Sequence, residues 1–229
     1  MKIDFYHPNP TVLEHFPPVP AKKLVPDWYK NLSSLTDYTP QEATIKGCVP
    51  VQDMITSGYI IRNAYEIELK HELVPATGNQ FNAFRCNYTG ALRHHRFEQY
   101  PDHPTSSCNR KDYFKFRHEW VIKTPPGYSC LFIQPFYHHE TNYTLLPAIV
   151  DTDKHDASIQ FPGILHDSAS EGIVIKPGEP IMQVIPFKRD DWKMETHELK
   201  HKQSYLDFYL SQPLAKLYKK FFHSKKNFN

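Results

Sequence analysis

Apolar residues fall in short runs: 128–135, 148–150, 173–175 and 181–187 are almost unbroken, whereas Tyr65, Ile67 and Leu69 alternate with Ala64, Glu66, Glu68 and Lys70. A period of two predicts a half-exposed strand, and a short unbroken run predicts a strand covered on both faces. The runs at 130–133 and 148–150 are expected to be of the covered kind. Three Pro-Gly dipeptides, Pro126-Gly127, Pro162-Gly163 and Pro177-Gly178, punctuate this half of the chain. Proline at the second and glycine at the third position suits a type II turn, because one fixes φ and the other tolerates a positive φ. Residues 173–175 and 181–185 are therefore expected to close as a hairpin around Pro177-Gly178. Further short strands are predicted at 48–51, 59–61, 113–116 and 120–122, with Thr56-Ser57-Gly58 as a loop.

The ends read differently. Prolines at 8, 10, 17, 18, 20, 26, 40 and 50 forbid continuous helix or central strand there. Residues 1–44 are expected to be a Pro-rich arm with one short helix starting at Pro26, on which Trp28 and Leu32 pack into the core. Residues 45–193 are expected to form the β-rich core domain, interrupted by a long polar excursion at 71–112. In 194–229, Leu199, Leu206, Tyr209, Leu210, Leu214, Leu217, Tyr218 and Phe221 recur at helical spacing, broken at Pro213, and predict a C-terminal helical segment with a basic tail. The fold class that follows is mainly β: a single antiparallel β-barrel or sandwich with a Pro-rich N-terminal arm and a C-terminal α-helix.

Composition agrees with this outline. Among 229 residues, 15 Phe and 14 Tyr suit pleated surfaces, and 20 Pro against 8 Gly favour rigid corners over long helices. A formal charge of +2 provides no field to gather nucleic acid or an anionic membrane, so a small-molecule ligand and a homo-oligomer are the expected partners. Cys48, Cys86, Cys108 and Cys130 contain no C-x-x-C pair, and no stretch approaches the roughly twenty apolar residues of a membrane span. A cytoplasmic protein is the expectation.

Candidate chemistry gathers in a few strings. Asp151 and Asp153 lie two apart, so on a continuing strand they share a face and could position a water or a cation as a catalytic pair, with Asp156 nearby. The structural alternative is a strand-ending turn whose acids bind backbone amides. Gln183, polar within an apolar run, needs hydrogen-bond partners in the core or on a ligand. In 188–192, Arg189 either presents a fork to an anion or joins a self-compensating cluster with Trp192 packed beneath it. Ser129 offers one hydroxyl to a ligand, but neither it nor Cys130 sits in a nucleophile elbow. His138 and Glu140 have the His-x-Glu spacing of a divalent-metal site, which would need a further ligand from elsewhere. His94 and His95 with His103 and Cys108 lack the tight spacing of known zinc sites.

The strings at 26–30, 46–50 with Asp53 and Gly58-Tyr59, 120–132, 149–153 and 178–192 resemble those of an uncharacterised protein family of phages and bacteria. That resemblance implies a viral or bacterial cytoplasmic protein, in the host cytoplasm if viral, and no established activity. The order Pro-Gly-x-Ser, then Ile149-Val150-Asp151, then the run 175–184 is also similar to that of dUTP pyrophosphatases and dCTP deaminases. This second resemblance implies a small antiparallel barrel, trimeric, with sites shared between subunits, and it places Asp151 and Gln183 at a nucleotide site. The phosphate motif of those enzymes is absent, and a lysine-bearing segment replaces their glycine-rich tail, so the resemblance extends to the barrel and not to the reaction. Three functional classes follow: a barrel binding a nucleotide-like or other anionic small molecule through Ser129, Asp151, Asp153, Gln183 and Arg189; a metal-dependent cupin-type oxygenase using His138 and Glu140; and a non-catalytic viral structural or interaction protein.

Overall fold

Two units make up the chain, one of Met1–Val19 with Tyr59–Arg189 and one of Pro20–Gly58 with Asp190–Asn229. The computed structural model describes residues 1–37, 43–76, 79–85, 92–95, 113–138, 140, 142–166, 172–198 and 215–229, with backbone alone at 70–76, 79–85, 92–95, 113 and 215–217.

The first unit is antiparallel β structure. Its strands are β1 (Asp4–Tyr6), β2 (Val19–Pro20), β3 (Tyr59–Arg62), β4 (Ile67–Ala76), β5 (Asn79–Arg85), β6 (Leu92–His95), β7 (Tyr113–Arg117), β8 (Val121–Lys123), β9 (Tyr128–Ile133), β10 (Tyr143–Leu145), β11 (Ala148–Val150), β12 (Gln160–Leu165), β13 (Ile173–Ile175) and β14 (Pro180–Lys188). They form four sheets, in the orders β1-β8, β10-β12-β7-β6, β11-β9-β14-β3-β2 and β13-β4-β5. Among the described strands no sheet closes on itself, so the fold is mainly β and antiparallel without the closed barrel that was one of the two expected forms. One helix, α1 (Pro10–His15), opens with Pro10 in its first turn and Asn9 as cap, its side chain accepting from Thr11 N–H at 2.9 Å.

The core is aromatic. Phe114, Phe132 and Phe161 come from β7, β9 and β12, and Leu145, Met182 and Val184 pack with them, all at 0–1% exposure. Trp120 and Ile122 are buried in the same cluster. β14 lies between β3 and β9, and its residues Ile181, Met182, Gln183 and Val184 are all buried. Such double coverage explains an unbroken apolar run.

Several expectations change. Residues 176–179 do form a turn, Glu179 N–H donating to Lys176 O with Gly178 at φ 92°, but β13 pairs with β4 while β14 pairs with β3 and β9, so no hairpin joins them. A local turn sets direction without choosing the partner strand. Pro162-Gly163 is no corner at all and lies inside β12, where Gly163 pairs with Phe114 and Leu145. β11 is an outer strand covered on one side only, and Ile149 is 64% exposed. Within 71–112, the second half of β4 pairs with β5, and β6 pairs with β7, so part of the predicted polar excursion is sheet. His103 and Cys108 lie outside the described residues.

Among the described residues of the second unit are the α-helices α2 (Asp27–Asn31), α3 (Val49–Thr56) and α4 (Ala215–Phe221). The predicted strand at 48–51 is instead the start of α3, since proline is tolerated in a first helical turn and Pro50 stands there. On α2 the buried residue is Tyr29, and Trp28 is 46% exposed rather than packed in the core. Asp53 on α3 meets His223 Nε2 at 3.1 Å and accepts from Lys226 Nζ at 2.6 Å. The short C-terminal helix matches expectation, while residues 199–214 lie outside the described part. Among the described residues no helix is long and apolar enough to cross a membrane.

A Cβ added at Gly163 would fall 2.9 Å from Leu145 Cδ2 and closer still to the Phe114 ring. Gly163→Ala is therefore expected to lower the unfolding free energy by about 1–3 kcal/mol through overpacking, read from urea denaturation. An unchanged midpoint would show that the β7–β12 contact is loose.

Candidate functional site

Four of the residues singled out from sequence meet at one end of the first unit. The turn at 126–127, closed by Tyr128 N–H donating to Pro125 O with Gly127 at φ 84°, brings β9 back beside the end of β14. Beyond β11, Lys154 and His155 N–H both donate to Asp151 O, folding 151–155 into a tight turn. Arg189 follows β14, and its backbone N–H donates to Gly127 O at 2.9 Å. Its Nη1 donates to Tyr128 O (3.0 Å), Ser129 Oγ (2.9 Å), Asp151 Oδ1 (3.2 Å) and Asp153 Oδ1 (2.9 Å), and Nη2 donates to Asp153 Oδ2. Ser129 Oγ donates to Asp151 Oδ1 at 2.6 Å, and Gly127 N–H donates to Asp153 Oδ2 at 2.9 Å.

The consequence is a self-contained clasp. The Arg189 guanidinium bonded to Asp153 holds that carboxyl far below the ordinary carboxylate range, and the Ser129 hydroxyl, followed by Arg189, lowers Asp151. Both acids raise Arg189 in return. A carboxylate so strongly held in its ionised form is a poor general base, and an arginine fork closed on Asp153 does not face a ligand. Trp192 is 89% exposed. Gln183 is buried and lies four residues back along β14 from Phe187, the partner of Ser129, or about 13 Å away.

His138 and Glu140 share another place. With Gln134, Tyr143, Glu179 and Pro180 they line a cleft of about 160 Å³. Gln134 braces it, its Oε1 accepting from Leu145 N–H at 2.9 Å, and Glu140 accepts from Asn142 N–H at 2.6 Å. Burial, then the charges of Glu140 and Glu179, push the Tyr143 phenol upward. The cleft suits a cationic or hydroxyl-bearing group. Among the described residues no three His, Cys, Asp or Glu side chains are grouped as a metal site, and none of those residues joins His138 and Glu140 as a third ligand.

A third arrangement was not foreseen. Arg62 ends β3, Arg117 ends β7, and His118 follows it; together with Phe116, Trp120 and Ile181 they line a cavity of about 20 Å³. Arg62 Nη2 is engaged by His15 O and Pro17 O at 3.3 and 3.2 Å, and the Phe16 ring lies 5.9 Å from its Cζ. Its Nε, the Nε of Arg117 and the Nε2 of His118 are all buried without an acceptor. His118 Nδ1 accepts from Trp120 N–H at 3.0 Å, which places the proton of the neutral ring on Nε2 and makes that nitrogen a donor. Burial, with the nearby His7 charge, pushes the His118 imidazole down to about 3, so the ring is neutral across the physiological range. It stacks on Phe161 at 4.4 Å.

Between His118 and Trp120 stands Glu119 at φ 59°, the one non-glycine residue with positive φ among those described. Such a backbone costs about 1–2 kcal/mol for an L-residue, and strained residues recur where a site must be shaped. The rim is fixed by Asn63: its N–H donates to Glu179 O, its carbonyl accepts from Gly178 N–H, both at 2.8 Å, and its side chain donates to Ile175 O and Lys176 O at 3.0 and 3.1 Å. In sequence, the only signal was a basic residue closing each of two apolar strand runs, Ile60-Ile61-Arg62 and Phe116-Arg117-His118.

Compared with models of known protein families and with curated proteins, the chain matches none. Solved structures similar to it include the EIAV dUTPase, 10% identical, covering 64% of this chain and 87% of that one at a TM-score of 0.33. A mutant dUTPase from phage phi11 of S. aureus, described with a structural Mg(II) ion, is 11% identical and covers 75% of this chain and 96% of its own at a TM-score of 0.34. Likeness at this level transfers neither a site nor a reaction.

The clasp has a signed pH dependence. Asp153 and Asp151 titrate below their ordinary value of 3.8, so the stability they contribute is complete above that value and is lost as pH falls toward their lowered ones. Asp153→Asn is expected to lower the urea midpoint at neutral pH and to flatten the loss of stability between roughly pH 4 and 2. Parallel wild-type and variant profiles over that interval would contradict the clasp.

Proposed function

We propose that this chain binds a small acidic molecule, one oxygen-bearing group of which enters the cavity between Arg62, Arg117 and His118. The observation that carries this reading is that three residues lining one cavity, Arg62, Arg117 and His118, each hold a buried N–H donor without an acceptor. A donor left unsatisfied costs about 1–3 kcal/mol, and more when charged, so an occupant that supplies acceptors recovers a cost already present in the fold. Two guanidiniums set the sign of the occupant's charge, and the neutral imidazole adds a directed donor. These groups are suited to holding an acid and not to attacking it, which makes the reading one of binding. The cavity is complete within one unit of one chain, so the proposal needs no second subunit.

The anionic ligand expected from sequence is kept, but its place moves from Arg189 to Arg62 and Arg117. Isothermal titration of the full chain with a panel of small carboxylates and phosphates is expected to give saturable binding by at least one of them. Arg117→Gln, which removes a charged donor, is expected to weaken that binding by about tenfold or more. Saturable binding by none of the panel, or binding indifferent to Arg117, would overturn the proposal.

A further inference from the structure

Independently of that reading, we infer that the cleft of about 160 Å³ lined by Gln134, His138, Glu140, Tyr143 and Glu179 binds a small primary ammonium ion with a short alkyl body. Gln134, Pro135 and His138 follow β9, Glu140 and Tyr143 lead into β10, and Glu179 and Pro180 lead into β14. Backbone ties hold these walls without a ligand: His138 N–H donates to Pro135 O at 2.9 Å, Asn63 N–H to Glu179 O at 2.8 Å, and Gln134 Nε2 to Tyr143 O at 3.3 Å.

The sign of the occupant's charge follows from what is left unpaired. Two carboxylates line the cleft, and no lysine or arginine is among the described residues that do so. Among the described residues Glu179 has no side-chain hydrogen bond or ion pair, and Glu140 accepts only from Asn142 N–H. Arg62 stands opposite Pro180, but its Nη2 is held by His15 O and Pro17 O. A second observation is Tyr143, which is 2% exposed and whose phenol makes no hydrogen bond among the described residues, although the charges of both glutamates reach it. A buried hydroxyl without a partner carries a cost that a ligand donor relieves.

Two carboxylates and a phenol oxygen match the three N–H donors of a primary ammonium, and charge-assisted bonds of this kind are strong. The class of cation follows by comparison. A metal ion lacks its ligand set, because no three His, Cys, Asp or Glu side chains are grouped to hold one among the described residues. A quaternary ammonium has no N–H to give and is held by a cage of aromatic rings, whereas Tyr143 is the one Phe, Tyr or Trp lining this cleft. A cavity of about 150 Å³ takes up benzene, so a body of about six non-hydrogen atoms fits here, with Pro135 and Pro180 as apolar walls for the alkyl chain.

The test follows the amide resonances of Asn142 and Leu145 in the ¹⁵N-labelled full chain during titration at neutral pH with n-butylamine hydrochloride, n-butanol, tetramethylammonium chloride and calcium chloride. n-Butylammonium is expected to shift both saturably, with a Kd about tenfold or more below those of the other three. Glu179→Gln is expected to weaken it about tenfold or more, and Tyr143→Phe, which keeps the ring against Phe114 and Phe116, about threefold or more. The amide fingerprint reports whether each variant is folded. Butanol or tetramethylammonium binding as tightly, calcium binding more tightly, affinity indifferent to both variants, or no saturable shift with n-butylammonium would each overturn the inference. None of these results bears on the acidic-ligand reading, whose cavity and probes are separate.

Discussion

The rest of the first unit depends on the double-sided pairing of β14. Paired with β3 over its first half and with β9 over its second, with Gln183 and Val184 partnered on both edges, this nine-residue strand lays Met182 and Val184 against Phe132 and Ile61 in the core. Its two ends then fix everything of chemical interest. At the start, Pro180 stands opposite Arg62, and the register shifts between Pro180 and Met182, the kind of irregularity that re-aims side chains beside a site. At the finish, Lys188 pairs with Tyr128, and Arg189 reaches the two aspartates.

Arginines near the two ends therefore have opposite fates. Arg189 is surrounded by acceptors, two carboxylates, a hydroxyl and a carbonyl, and its field is consumed locally. Arg62 and Arg117 sit among aromatic and aliphatic walls with donors that meet no acceptor. In a low-dielectric setting the two differ in consequence: a satisfied pair rigidifies a corner, whereas unsatisfied donors carry a desolvation cost that an acceptor would relieve. His118 belongs with the second group, since Trp120 N–H fixes its tautomer and the left-handed Glu119 joins the two residues.

How much of this was legible depends on whether the cause is local. The strands at 128–133 and 181–187 and the turns at 126–127 and 177–178 could be read because apolar runs and Pro-Gly pairs act within a few residues. Pro162-Gly163 misled because the need for glycine there comes from the Phe114 ring on the neighbouring strand, far away in sequence. The helix at Val49–Thr56 reads as a strand in sequence because Pro50 is a breaker unless it falls in a first turn. Asp151, Asp153, Ser129 and Arg189 could each be named, but not that they would bond to one another, which follows from the pairing of β9 with both β11 and β14. Arg62, Arg117 and His118 left almost no trace, because β3 and β7 belong to different sheets and nothing local says that the residues at their ends line one cavity.

The most direct measurement is the pH titration of the His118 ring by ¹⁵N NMR in the full chain. An unspent, buried Nε2 donor predicts a neutral ring, protonated on Nε2, that stays so from neutral pH down to about 4 and takes up its second proton only near 3. A ring that titrates near the ordinary value of 6.5, or that carries its proton on Nδ1, would contradict the account.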